Sequence, residues 1–160
     1  PSTPAHTRPR PLLHPAFKAR STDGPGAGHV IAALTSTAVA AQTRRDPTHV
    51  NRLGPFEDRR DALDEELGRT SESYAASYEI LELDDTHGPA ANREDVDALI
   101  VSPEAKAQRR AYEINDVRRA DCLRPLEIHT PPLVVAEDGT RIRSTRIRDG
   151  EIDVHGRLLE

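Results

Sequence analysis

Short apolar runs alternate with longer amphipathic segments through the first half of the chain. "HVIAALTS" (29–36) is an apolar run preceded by the Gly-rich loop "STDGPGAG", which predicts a buried strand. "PFEDRRDALDEELGRTSESY" (55–74) has its apolar residues at helical spacing, with Pro55 where a first-turn proline belongs. The face shared by its apolar side chains consists of Phe56, Leu63 and Leu67. We therefore expect a strand followed by a helix.

The same alternation continues through the second half. "SYEILELDD" (77–85) and "DVDALIVSPE" (95–104) predict two more strands, and Pro103 opens a helix that runs to about Ala120. "PLEIHTPPLVVAEDGT" (125–140) predicts a strand, a break at Pro-Pro, a second short strand and a turn. Strands that alternate with helices are typical of an α/β fold, in which helices cover both faces of a parallel sheet.

The length and composition favour one domain over residues 1–160, with an irregular segment over residues 1–28. The net charge of −5 and the aromatic content of 3% argue against nucleic-acid binding, because both a basic surface and stacking side chains are lacking. No apolar stretch is long enough to span a membrane. The single cysteine, Cys122, excludes a disulfide framework and fits a cytoplasmic protein.

The C-terminal segment "RIRSTRIRDGEIDVHGRLLE" (141–160) concentrates hydroxyls and cations. Around the hydroxyls of Ser144 and Thr145 lie four arginines: Arg141, Arg143, Arg146 and Arg148. Such a run is often a solvated face. Serine and threonine, however, cap helices, and a helix beginning here would aim free N–H groups at the point where the arginines converge. The segment therefore predicts a phosphate site at the start of a last short helix.

Hydroxyl and charged side chains also follow the predicted strands. In a parallel sheet, ligands bind outside the carboxyl ends of the strands. Those ends are "LTS" (34–36), "LDD" (83–85), "VSPE" (101–104) and the segment before "STRIR". The agreement among the four supports the prediction of a phosphate site.

Six segments, in this order, resemble the archaeal-type phosphopantetheine adenylyltransferases, a branch of the cytidylyltransferase-like nucleotidyltransferases: "ALTSTAVAAQTRR", "GPFEDRRDALDEEL", "LELDDTHGPAA", "VDALIVSPEAK", "EINDVRRADCLRPLEIH" and "VVAEDGTRIRSTRIRDGEID". The resemblance covers roughly residues 30–155, and "SPE" together with "STRIR" makes it specific. It implies a Rossmann-like nucleotidyltransferase fold. It also implies that ATP, with Mg²⁺, reacts with 4′-phosphopantetheine to give dephospho-coenzyme A and pyrophosphate.

The resemblance implies roles for individual residues. The catalytic residue is then His6, facing the reacting phosphates. The nucleotide is bound by the last helix and by the loops after two strands: Ser144, Thr145, Arg146, Arg148, Ser102, Glu104, Asp84 and Gly88. The acceptor is bound by Thr35, Ser36, Gln42 and Arg44. Some of these residues have an alternative structural role: a surface side chain for His6, a helix cap for Ser144, Thr145 and Arg148, the start of a helix for Ser102 and Glu104, and a turn for Asp84 and Gly88.

The chain departs from the N-terminal motif of the family, T-x-F-D-P-x-H-x-G-H. The best register aligns "TPAHTRP" (3–9) with "DPxHxGH" and keeps His6. It places Thr3, Arg8 and Pro9 where the family has aspartate, glycine and the second histidine. The strand that precedes the motif would lie upstream of the first residue.

Two further observations leave the function open. In a rival register, "DGPGAGH" (23–29) supplies the Gly–His pair of the motif. Independently of the register, Gln42 replaces the lysine of the family's "K-T-R", with Arg44 or Arg45 as a partial substitute. One alternative is a weakened or inactive homologue that binds a nucleotide or a coenzyme A-like ligand. Another is a nucleotidyltransferase with a different phosphorylated acceptor, and a third is a non-catalytic interaction module.

Overall fold

The computed structural model describes residues 10–19, 27–39 and 54–159. In chain order its elements are helix α1 (Arg10–Lys18), strand β1 (His29–Thr35), helix α2 (Phe56–Tyr74), strand β2 (Ser77–Leu83), a 3₁₀ turn (Gly88–Ala91), strand β3 (Ala98–Ile100), helix α3 (Ala105–Ala120), strand β4 (Glu127–His129) and helix α4 (Ser144–Arg148). The predicted alternation of strands and helices is confirmed.

The strands pair in parallel, so that their carboxyl ends lie together. β1 pairs with β2 with Thr35 opposite Leu83, and β3 pairs with β4 with Ile100 opposite His129. The α/β class is therefore confirmed. Within the described ranges the strands form two separate two-stranded sheets, where the sequence predicts one sheet.

One face of the β1–β2 sheet is covered by α1 and α2. The buried side chains of this core are Leu13, Phe17, Val30, Leu63 and Leu67. The rings of Phe17 and Tyr74 stack with their centroids 5.7 Å apart, so that α1 and the end of α2 are joined by an aromatic contact. Burial of these aliphatic and aromatic side chains holds the two helices on the sheet.

Helix α1 corrects the expectation that residues 1–28 are irregular, because it lies within that segment. The proline-rich composition hides it, and Pro15 even lies inside the helix. The signal that reveals it is the spacing of Leu13 and Phe17, which are four residues apart and therefore share one helical face. Both side chains are buried, and this packing outweighs the unfavourable proline.

The buried guanidinium of Arg118 ties α3 to the segments that precede β3 and β4. It donates to the carbonyl oxygens of Ala90 at 2.9 Å, Arg93 at 2.8 Å and Arg124 at 2.7 Å. Only 1% of this residue is exposed, so these hydrogen bonds offset the cost of burying a charge. The loops that lead into both strands of the second sheet are thereby fixed.

Several predicted boundaries move by a few residues. Pro55 directly precedes α2, and α3 begins at Ala105, two residues after the proline predicted to open it. The predicted second strand of 125–140 is a single antiparallel bridge between Val135 and Arg141. The Pro-Pro dipeptide before it lacks N–H donors, which keeps this segment from extending into a ladder.

Candidate functional site

The carboxyl end of β1 presents Thr35 and Ser36, both predicted to bind the acceptor. The N–H of Ser36 continues the ladder by donating to the Leu83 carbonyl at 3.0 Å. Its hydroxyl accepts from the N–H of Val39 at 3.1 Å and is buried, so it caps the helical turn that begins at residue 37. The Thr35 carbonyl accepts from Arg59 Nη1 at 2.9 Å. Both residues lie at the expected edge, and the Ser36 hydroxyl has a structural role there.

The loop after β2 is organised by Asp85, the neighbour of the predicted site residue Asp84. Its Oδ1 accepts from the N–H groups of His87 at 2.8 Å and Gly88 at 2.5 Å. These backbone donors, that of Gly88 first, hold the pKa of the Asp85 carboxyl below its ordinary value. Asp84 is exposed beside it.

Gly88 is required by the backbone of this loop. Its φ of +62° lies in the left-handed region, and a Cβ at this position would overlap Leu83 Cδ1. The residue is buried in the turn. Its glycine is therefore explained by local geometry, while its predicted contact with a nucleotide stays a prediction.

The loop after β3 meets the arginine segment. Arg141 Nη2 donates to Ser102 Oγ at 3.0 Å, and the same guanidinium forms an ion pair with Glu104. Arg143 Nη2 lies 3.4 Å from the same Glu104 oxygen. The "SPE" and "RIRSTRIR" segments, 39 residues apart between Ser102 and Arg141, thus form one cluster at the carboxyl end of the second sheet.

Helix α4 begins at Ser144, as the sequence predicts. Its N-cap position is occupied by Arg143, which has an extended backbone and makes no side-chain cap, so the alternative role of Ser144 and Thr145 as a helix cap is not observed. The Ser144 side chain is exposed and that of Thr145 is half-buried. The Ser144 hydroxyl therefore faces the solvent beside the arginines of the cluster.

Arg146 is engaged within the protein. Its guanidinium donates to Asp138 Oδ2 at 2.5 Å and to Glu151 Oε2 at 2.9 Å, and it also contacts Thr140. The hydrogen bond from Arg146 lowers the pKa of Asp138 to about 2. The Arg146 guanidinium also donates to the Arg141 carbonyl at 3.3 Å, so α4 is tied to the turn that precedes it.

Arg141 and Arg143 belong to the predicted phosphate site, but the family resemblance implies no nucleotide contact for either. The signal was present, since both belong to the arginine run and directly precede "STRIR". Arg148, predicted to bind the nucleotide, lies half-buried on α4. The predicted residues His6, Gln42 and Arg44 lie outside the described residues.

Residues 10–19, 27–39 and 54–159 contain no group of three or more His, Cys, Asp or Glu side chains that could hold a metal ion. Across the same ranges, no helix has the length and apolar character needed to cross a bilayer.

Comparison with known proteins gives several relatives, although no family model matches the chain. A phosphopantetheine adenylyltransferase of Methanosarcina mazei is 49% identical over 81 residues, which is 51% of each chain. The enzyme of the same name from Methanopyrus kandleri is 40% identical over 101 residues, covering 62% of this chain and 60% of the relative. That from Thermococcus kodakarensis is 30% identical over 115 residues, covering 72% and 67%. The chain spans about half the length of the first curated relatives it matches.

A solved structure from Archaeoglobus fulgidus, described as a protein of unknown function, is also similar. It superposes with a TM-score of 0.44 at 18% identity over 63% of this chain and 72% of the other.

Proposed function

Since the chain belongs to the phosphopantetheine adenylyltransferase family, we propose that it joins ATP to 4′-phosphopantetheine, releasing dephospho-coenzyme A and pyrophosphate. In this reaction a phosphate oxygen of 4′-phosphopantetheine forms a bond to the α-phosphorus of ATP. The bond between that phosphorus and pyrophosphate breaks. We assign the protein to coenzyme A biosynthesis in the cytoplasm.

The contact between the "SPE" loop and the arginine segment carries this proposal. Arg141 and Arg143 converge on Glu104, and Ser144 follows them with an exposed hydroxyl. Two guanidinium groups and hydroxyls in one place suit the phosphates of a nucleotide, because guanidinium–phosphate hydrogen bonds are charge-assisted. We assign ATP to this cluster, with Thr145 and Arg148 of α4 completing it.

The direct displacement makes modest demands on side chains. The phosphate of 4′-phosphopantetheine must be held in line with the α-phosphate of ATP, and the developing negative charge must be stabilised. No covalent intermediate with the protein is needed. Mg²⁺ enters bound to ATP and is therefore part of the substrate. We assign the acceptor to Thr35 and Ser36 at the edge of the first sheet, and to Gln42 and Arg44, as the family resemblance implies.

The proposal is tested by pyrophosphate release from ATP, Mg²⁺ and 4′-phosphopantetheine. We expect release that requires the acceptor and that falls strongly when CTP replaces ATP. The double variant Arg141→Ala/Arg143→Ala should lose nucleotide binding by calorimetry, while Arg109→Ala, an exposed arginine on α3, should keep it. Absence of ATP binding by the unmodified chain would contradict the proposal.

A further inference from the structure

The guanidinium of Arg146 closes a loop around α4. On the side where the chain enters the helix, it donates to Asp138 Oδ2 at 2.5 Å and to the Arg141 carbonyl at 3.3 Å. On the side where the chain leaves, its Nε donates to Glu151 Oε2 at 2.9 Å. One side chain of the helix therefore joins the segments that precede and follow it.

This guanidinium has little capacity left for a ligand. Besides its contacts with Asp138, Arg141 and Glu151, its Nη1 contacts the hydroxyl of Thr140. These partners use most of the N–H donors that an arginine side chain possesses, and two of them are carboxylates that balance its charge. The Arg146 side chain is only 15% exposed, whereas that of Arg143 is 60% exposed.

The carboxylate that receives Arg146 has a fixed orientation. Asp138 Oδ1 accepts from the N–H of Thr140 at 2.9 Å and from the Thr140 hydroxyl at 2.7 Å. The turn around it is closed by the N–H of Ala136, which donates to the Thr140 carbonyl at 2.7 Å. The turn can therefore set the position of the Arg146 guanidinium.

Helix α4 depends on these hydrogen bonds because it has little else to hold it. It is five residues long, and none of its residues is buried. So short a helix is unstable by itself, and α4 lacks the apolar packing that usually stabilises one. Arg143 directly precedes α4 and Ser144 is its first residue, so the positions of both follow the position of the helix.

We propose that Arg146 is a positioning residue of the nucleotide site. Held by Asp138 and Glu151, it fixes α4 so that Arg143 and the Ser144 hydroxyl converge on the phosphates, and it does not bind them itself. The inference rests on the proposed function, which supplies the nucleotide as the bound anion. It differs from the role that the family resemblance implies for Arg146, which is direct contact with the nucleotide.

The sign of one substitution separates positioning from direct contact. Asp138→Asn removes a negative charge and loosens the hold on Arg146, so a guanidinium that bound phosphate directly would bind it more tightly. A positioning role predicts weaker binding instead, because α4 loses its attachment to the turn. Asparagine retains an oxygen that can accept from the N–H of Thr140, so the turn itself is preserved.

The experiment measures the Kd for tripolyphosphate by calorimetry, in the full chain without nucleotide. Asp138→Asn is compared with Arg146→Lys, which keeps the charge but cannot span the turn and Glu151 as a planar fork does. The matched control is Asp116→Asn, which removes an exposed carboxylate paired with Arg119 on α3. Circular dichroism establishes that each variant is folded at the temperature of the titration.

We expect the Kd to rise roughly tenfold in Asp138→Asn and in Arg146→Lys, and to stay unchanged in Asp116→Asn. In an Arg143→Ala background, Asp138→Asn should add little, because the side chain that it positions is gone. Hydrogen exchange of the α4 amides should be faster in Asp138→Asn than in the natural chain.

Tighter binding by Asp138→Asn, or an affinity retained in Arg146→Lys, would overturn the inference and assign a phosphate contact to Arg146. Fully additive effects of Asp138→Asn and Arg143→Ala would also overturn it. The same holds if the unmodified chain does not bind tripolyphosphate. Binding of tripolyphosphate without adenylyl transfer would instead contradict the proposed function alone, so the two failures are distinguishable.

Discussion

Arg141 donates to the hydroxyl of Ser102 at 3.0 Å, linking the segment that precedes α4 to the loop after β3. This single bond joins two segments that the sequence places far apart, and it brings the guanidinium to the carboxyl edge of the second sheet. The neighbouring Arg143 is more exposed and shares the carboxylate of Glu104 with Arg141. The two arginines therefore differ in accessibility but serve the same cluster.

Removal of Arg143 should weaken nucleotide binding. A charge-assisted contact to a phosphate contributes on the order of 1.5–3 kcal/mol, so Arg143→Ala should raise the Kd for ATP by roughly ten- to a hundredfold. Calorimetry with Mg²⁺ present measures the change. Arg109→Ala on α3 removes the same charge elsewhere and should leave the Kd unchanged. Equal effects of both variants would show that only net charge matters.

Glu104 occupies the two arginines that we assign to ATP, so its neutralisation should help an anion to bind. Exposed ion pairs contribute about 0.2–1 kcal/mol, and Glu104→Gln should therefore lower the Kd for ATP by roughly two- to fivefold. Tripolyphosphate, titrated by calorimetry, should show the same gain. A weaker affinity in this variant would instead support direct participation of Glu104 in nucleotide binding.

Much of this fold could be predicted from the sequence, because the patterns of apolar and polar residues that define β1, α2, β2 and α3 are local. The arginine run also pointed to the correct segment. Which of these arginines lies at the candidate site could not be predicted from local sequence. The turn that precedes α4 directs Arg146 towards Asp138 and Glu151 and directs Arg141 towards Ser102. The role of Asp85 over Asp84 likewise depends on which carboxylate reaches the N–H of Gly88.

Gly88 should tolerate substitution poorly. Gly88→Ala adds left-handed backbone strain of about 1–3 kcal/mol and an overlap with Leu83. Gly139 has a φ of +73° with nothing within 4 Å of its Cβ position, so Gly139→Ala should lower the free energy of unfolding through backbone strain alone. Urea unfolding should therefore show the larger loss of stability at Gly88. Equal losses would mean that Leu83 moves aside at little cost.

Asp138 should make stability depend on pH in acid. Its pKa falls from an ordinary value of 3.8 to about 2 because Arg146 donates to it, so its contribution is complete above about pH 4 and is lost as the pH falls towards 2. The difference in unfolding free energy between the natural chain and Asp138→Asn should shrink across that window. Asp61→Asn, which removes the same charge at an exposed residue of α2, is the matched control. A difference independent of pH for both variants would contradict the role of the Asp138–Arg146 pair.

Turnover should be low because of the departures at residues 3–9. In the register that aligns residues 3–9 with the family's motif, His6 would have no second histidine at Pro9, and Gln42 would stand in place of a lysine, so the reacting phosphates would lose stabilising donors. The loss of one such donor typically costs on the order of a hundred- to a thousandfold in turnover. We expect pyrophosphate release at least about a hundredfold slower than in a relative with both histidines. ATP affinity should be largely kept, because the arginine cluster belongs to another part of the chain.

The triple variant Thr3→Asp, Arg8→Gly and Pro9→His should recover part of the rate. Full activity of the unmodified chain would show that other side chains, such as that of Arg8, supply the missing charge.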